Sequence, residues 1–203
     1  DHRDLHSFPT RRSSDLTHYS RAIENQLDVV HLPFVHHNTI GRGFRTVVNG
    51  PVVKSEGEAV QIWVYNERDE GQAPKKADEL PAPQRERQHL HFIFPNIWEN
   101  YITEKLRVTA FFVPVDGENT LMYLRFYQKF MKAPILRNLI GILGNFSNKI
   151  IERQDRRVVI TQRPFRSELK GGEKLIPGDS PIVAYRKIRD ALINQGKARG
   201  QPD

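Results

Sequence analysis

Residues 24–36 read Glu-Asn-Gln-Leu-Asp-Val-Val-His-Leu-Pro-Phe-Val-His, which sets an amide, a carboxylate and two imidazoles among apolar residues that ought to be buried. Asn25, Asp28 and His31 recur at i, i+3 and i+6, so they form one polar stripe if the segment is helical. Ile23, Leu27 and Val30 supply the apolar stripe of the same helix, expected over Ala22–His31. Pro33 disfavours helical geometry at Leu32, so the helix should stop near His31. On one continuous helix His31 and His36 would point in different directions. A helix that ends between them lets His36 swing back from a loop. Two neutral imidazoles converging on one point are a metal site lacking its carboxylate.

That carboxylate must sit where the chain returns to the core. Asp155 and Glu152 qualify, because the apolar stretch Ala133–Arg153 ahead of them tethers the segment. Asp69, Asp78 and Glu79 lie in a polar loop and do not. His37 is expected on the solvent side of His36. His89 and His91 alternate along a strand, where sheet-surface and pocket-lining roles are both open. Trp63, Phe92, Phe94, Trp98, Phe111 and Phe126 read as core, a minority of them facing a substrate cavity.

The elements around this cluster follow from periodicity. Phe44–Val48 and Pro51–Lys54 read as strands about an Asn49-Gly50 hairpin turn. Further strands are expected at Ala59–Asn66, His89–Phe94, Trp98–Thr103, Leu106–Pro114 and Thr120–Tyr127, with Asp116-Gly117 turning between the last two. Glu67–Arg87, with Pro74, Pro81 and Pro83, reads as a mobile loop or lid. Leu136, Leu139, Ile140, Leu143, Phe146 and Ile150 keep helical spacing over Ala133–Arg153. A closing helix spans Ser180–Asn194, with Ser180 as N-cap, Pro181 at the first position and Gly196 beyond its end. Antiparallel strands with helices on one face make an α+β fold.

Composition sets the frame. The 203 residues suit one domain, 38% apolar and 27% charged, as in globular proteins. No apolar run is long enough to span a bilayer and no signal peptide is visible, so the expectation is a cytoplasmic protein without a membrane. Zero cysteines exclude disulfides and thiolate-ligated clusters within the chain. The net charge of +7 is dispersed through Arg85–Arg87, Arg153–Arg157 and Tyr185–Arg199. No nucleic-acid motif accompanies it, so a solvated basic surface is expected.

Asp1–Leu16 has neither periodicity nor capping logic, and it resembles a translated short-read sequencing adapter along its whole length. It is expected to be non-native, with the domain itself at residues 17–196 and a tail at 197–203.

Asn25-x2-Asp28-x2-His31-x4-His36, with Asp155 far downstream in Asp-Arg-Arg-Val-Val-Ile-Thr-Gln, resembles the catalytic domain of Rieske non-haem iron oxygenases, in particular the oxygenase subunits of aromatic demethylases and ring hydroxylases. The resemblance extends from Thr17 to about Asn194 and implies a helix-grip (START-like) antiparallel sheet packed against a long helix. It implies His31, His36 and Asp155 as ligands of a mononuclear Fe(II). Asp28 would hydrogen-bond a ligating His and carry electrons, and Asn25 would lie beside the iron. The electrons would come from NAD(P)H through a reductase or ferredoxin and a 2Fe–2S Rieske cluster on a neighbouring subunit of a homo-trimer. The implied reaction is O₂-dependent hydroxylation or oxidative demethylation of an aromatic or other apolar ring substrate. The Cys-x-His and Cys-x-x-His ligands of the Rieske domain are missing from this chain, and the adapter-like start is read as truncation ahead of the catalytic domain. The isolated chain should then lack its own electron supply.

The competing reading is a non-catalytic START-like domain holding an apolar ligand. It leaves the Asn/Asp/His stripe of an apolar helix hard to justify, and His31, His36 and Asp155 lying more than about 6 Å apart would favour it.

Overall fold

The computed structural model describes residues 6–7, 11–12, 17–41, 43, 45–84, 87–130, 133 and 149–200. Six long strands form an antiparallel meander in which spatial order follows chain order: β1 (Thr46–Glu56), β2 (Ala59–Arg68), β3 (His89–Ile93), β4 (Ile97–Thr103), β5 (Leu106–Pro114) and β6 (Thr120–Gln128). Two-residue segments, His6–Ser7 and Arg11–Arg12, pair with the outer edge of β6. The helices are α1 (Tyr19–Leu27), α2 (Leu32–Val35), α3 (149–159) and α4 (Ser180–Ala198). This is the expected α+β class, an antiparallel sheet with helices packed on it. Among the described residues no helix is long and apolar enough to cross a membrane.

The period of two sorts the sheet into two faces. Val60 and Ile62 of β2, Leu90 and Phe92 of β3, Trp98 of β4, Ala110 and Phe112 of β5 and Met122 of β6 point inward. Against them pack Ala22, Ile23 and Leu27 of α1 and Ile182 and Tyr185 of α4. Tyr185 stacks on Phe94 and meets Phe92 edge-on.

Three expectations are corrected. Asn49-Gly50 is not a hairpin turn: β1 runs through it with a bulge between Asn49 and Val52, and the turn comes at Gly57-Glu58. Gly50 takes a φ of 84° and Pro51 has no N–H for the ladder, so the pair interrupts the register without reversing the chain. The loop after β2 is no lid over the inner face. Trp63 Nε1 donates to Gln84 O at 3.0 Å and Tyr65 OH to Pro81 O at 2.8 Å, which straps the loop across the outer face. α4 begins at Ser180 with Asp179 as N-cap and continues through Gly196 to Ala198. Of the long helix expected over Ala133–Arg153, residues 134–148 lie outside the described residues; α3 extends six residues past its expected end.

The basic surface is not wholly solvated either. Arg186 of α4 grips Glu24 of α1 through Nε–Oε1 at 2.7 Å and Nη2–Oε2 at 3.1 Å, and Arg21 adds a contact at 2.9 Å. Glu173 bridges the same two arginines from the connector. All but Glu173 are buried, so this ion cluster fixes α1 against α4.

Candidate metal centre

α1 ends earlier than expected. Asp28 is its C-cap in extended geometry (ψ 99°), so Asn25, Asp28 and His31 do not share one helix face. Pro33 does not end α1; it lies in the first turn of α2, where its fixed φ and missing N–H cost nothing. His31 is the N-cap of α2 and His36 its C-cap. One short helical turn therefore separates the two imidazoles and returns them to each other. Gly41 allows the chain to fold back, for a Cβ there would lie 2.6 Å from Leu32 O and 2.8 Å from His36 O.

Asp155 enters from α3. Its inward row Ile151, Asp155 and Val159 follows i, i+4, i+8, and Asp155 and Val159 are buried. Its Oδ1 lies 2.9 Å from His36 Nε2 and 3.4 Å from His31 Nε2, and the two Nε2 atoms are 3.2 Å apart. Glu152 lines the neighbouring cavity but is outside this triangle. Among the described residues this is the one cluster of three or more His, Cys, Asp or Glu able to hold an ion. The separation that would favour the non-catalytic reading is not found, since the ligand atoms all lie within 4.8 Å of one another.

The triangle fits a metal. An ion about 2.1 Å from each of three atoms sets them about 3.0 to 3.4 Å apart, and the three edges here are 2.9, 3.2 and 3.4 Å. Asp155 Oδ1 is buried and makes no hydrogen bond, although His36 Nε2 is 2.9 Å away. Its other oxygen accepts from Gln26 Nε2 at 3.2 Å. Two nitrogens and one carboxylate oxygen, on one side of a point, form the donor set of a 2-His-1-carboxylate site. Burial opposes charge on His31, but the nearby carboxylate of Asp155, with Asp28 behind, raises it above an ordinary imidazole. Burial likewise opposes ionisation of Asp155, yet the two histidines hold its carboxyl below the usual range.

The far ring nitrogens are engaged as well. His31 Nδ1 meets the backbone carbonyl of Asp28, while the Asp28 carboxylate accepts from the N–H groups of Val30 (2.9 Å) and His31 (3.1 Å). The expected link from Asp28 to a histidine is thus made by its main chain. His36 Nδ1 lies 2.8 Å from Gln154 Oε1. Asn25 is buried with Nδ2 unpartnered and does not line the cavity. His37 Nδ1 contacts Phe34 O outside the triangle. His89 stacks between Trp63 and Tyr101 on the outer face of the sheet, and His91 faces Glu99 there, so neither lines the cavity. Sequence reasoning missed Gln26 and Gln154, since a glutamine carries no spacing signal.

Beside the triangle lies a cavity of about 210 Å³. Val64, Leu90, Trp98, Val108, Met122 and Leu124 of the sheet make its apolar wall, and Asn66 and Asn100 supply amides.

Comparison with solved structures gives the same architecture. The quaternary ammonium Rieske monooxygenase CntA is 13% identical, with a TM-score of 0.60 over 93% of this chain and 49% of that one. NdmA of Pseudomonas putida CBB5 is 15% identical, with a TM-score of 0.61 over 96% of this chain and 52% of that one. The chain thus spans about half the length of the solved chains it matches. No curated protein sequence matches it. Residues 16–195 match the family model of the vanillate O-demethylase oxygenase C-terminal domain, and the chain belongs to that family.

Proposed function

We propose that this chain is the iron-bearing catalytic domain of a Rieske-type oxygenase that hydroxylates or oxidatively demethylates an aromatic or other apolar ring compound. The observation that carries the proposal is the closed triangle of His31 Nε2, His36 Nε2 and Asp155 Oδ1, a largely buried donor set open to an apolar cavity. Fe(II) held there would supply dioxygen activation, with electrons passing from NAD(P)H through a reductase or ferredoxin and a 2Fe–2S Rieske cluster. The chain's own contribution is orientation and exclusion of water. Gln26 occupies the second oxygen of Asp155, so the first is left for the ion. The apolar wall suits one substituted ring, since a cavity of about 150 Å³ is enough to take up benzene.

Asp28 lies between α1 and the triangle, where it is proposed to receive electrons from the Rieske cluster of a neighbouring subunit in a trimer. Inter-subunit electron transfer is described for the quaternary ammonium Rieske monooxygenase, 17% identical with a TM-score of 0.59. The Rieske domain itself is proposed to precede residue 17 in the parent protein, with Asp1–Leu16 non-native. NdmA has been seen with caffeine, a compact ring compound. The test is anaerobic titration with Fe(II): Asp155→Ala should abolish tight binding and Glu152→Ala should retain it. Equal binding by the parent and Asp155→Ala contradicts the proposal.

A further inference from the structure

We infer that Gln154 is a positioning residue for this centre, setting the tautomer and ring orientation of His36. The inference rests on the reading of His31, His36 and Asp155 as metal ligands. Gln154 is 6% exposed and adjoins Asp155 on α3. Neighbouring helical residues project about 100° apart, and here the two straddle one imidazole. Asp155 Oδ1 faces His36 Nε2 at 2.9 Å, while Gln154 Oε1 faces Nδ1 at 2.8 Å.

Metal ligation at His36 Nε2 selects which end of the amide meets the ring. Gln154 Nε2, with the oxygen toward the ring, donates to Asn38 Oδ1 at 2.7 Å, and the Thr39 hydroxyl lies 3.0 Å from Oε1 and 3.1 Å from His36 O. With oxygen toward the ring, His36 Nδ1 carries a proton and donates it. Nε2 is then left with its lone pair directed at His31 and Asp155. An amide turned the other way would need Nδ1 as acceptor, leaving the proton on Nε2, where it would block metal ligation. The carbonyl of Asp28 does the same for His31, but it is main chain; Gln154 does it with a side chain. A single helix, α3, thus supplies the third ligand and aligns the second.

The test loads the full chain and its variants with Co(II) or Zn(II). Gln154→Leu removes the acceptor at similar volume and should weaken Co(II) binding by about 10- to 100-fold, with an altered Co(II) absorption spectrum. Gln154→Glu keeps an acceptor and should restore affinity to within about threefold of the parent. In the Zn(II)-loaded parent, nitrogen NMR should show a His36 Nδ1–H protected from exchange, a readout that needs no variant. Gln154→Leu binding Co(II) as tightly as the parent with an unchanged spectrum, or an unprotected Nδ1–H in the parent, overturns the inference alone. A parent that binds neither metal overturns the proposed function with it.

Discussion

His31 and His36 cap the two ends of one helical turn, and their Nε2 atoms stand 3.2 Å apart. Asp28, in extended geometry, ends α1, and the separate turn of α2, with Pro33 near its start, carries both histidines. The pair is completed from α3, more than a hundred residues later, so the site depends on how well α1 and α3 are held to the sheet.

Glu24 carries much of that hold. Removing its carboxylate in Glu24→Leu leaves Arg21 and Arg186 buried with only Glu173 to pair them. Breaking a buried pair in this way costs about 3 to 5 kcal/mol. Urea unfolding should show a lower midpoint at unchanged slope. A loss below about 1 kcal/mol would mean that the cluster behaves as a surface pair.

Asp28 serves the turn and, in the proposed function, electron delivery, and the two roles separate by substitution. Asp28→Asn keeps a side-chain oxygen for the N–H groups of Val30 and His31. It should hold Fe(II) affinity within about threefold while slowing electron arrival in the intact enzyme, whereas Asp28→Ala should lose about tenfold in affinity. Fe(II) titration of both variants checks this; equal weakening would show that the negative charge, not the turn, supports the site.

How much of this was legible in the sequence depended on whether the signal was local. Alternation exposed five of the strands, because inward Val60, Ile62, Leu90 and Phe92 must repeat every second residue. Asn49-Gly50 has the residue types of a turn, but Val52 and Val53 continue pairing with Trp63 and Ile62, and tertiary pairing overrode the local preference. Pro33 pointed to a break between the two histidines, but the break falls at Asp28, and Pro33 sits at the start of the turn that joins them. Asp155 could be told from Glu152 by resemblance alone, because three positions on a helix decide which carboxylate faces inward. Gln26 and Gln154 were invisible, since each acts across more than a hundred residues.

His18 makes the fold less stable in mild acid. Burial, together with Arg189, Arg166 and Arg21, lowers its pKa to about 4 from the ordinary 6.5. Between these values the unfolded chain binds the extra proton and the folded chain does not, so stability falls as pH drops from 6.5 toward 4. His18→Asn keeps an acceptor for the Ser20 N–H at the start of α1 and removes the titration. The melting-temperature difference between parent and variant should shift in the variant's favour across this range. A difference constant with pH would contradict the assignment.

Iron held by His31, His36 and Asp155 is visible to X-ray absorption at the iron edge of the Fe(II)-loaded chain. The spectrum should show two imidazole ligands at about 2.1 Å, falling to one in His36→Ala and to one in His31→Ala. Unchanged imidazole scattering in both variants would contradict that ligand set.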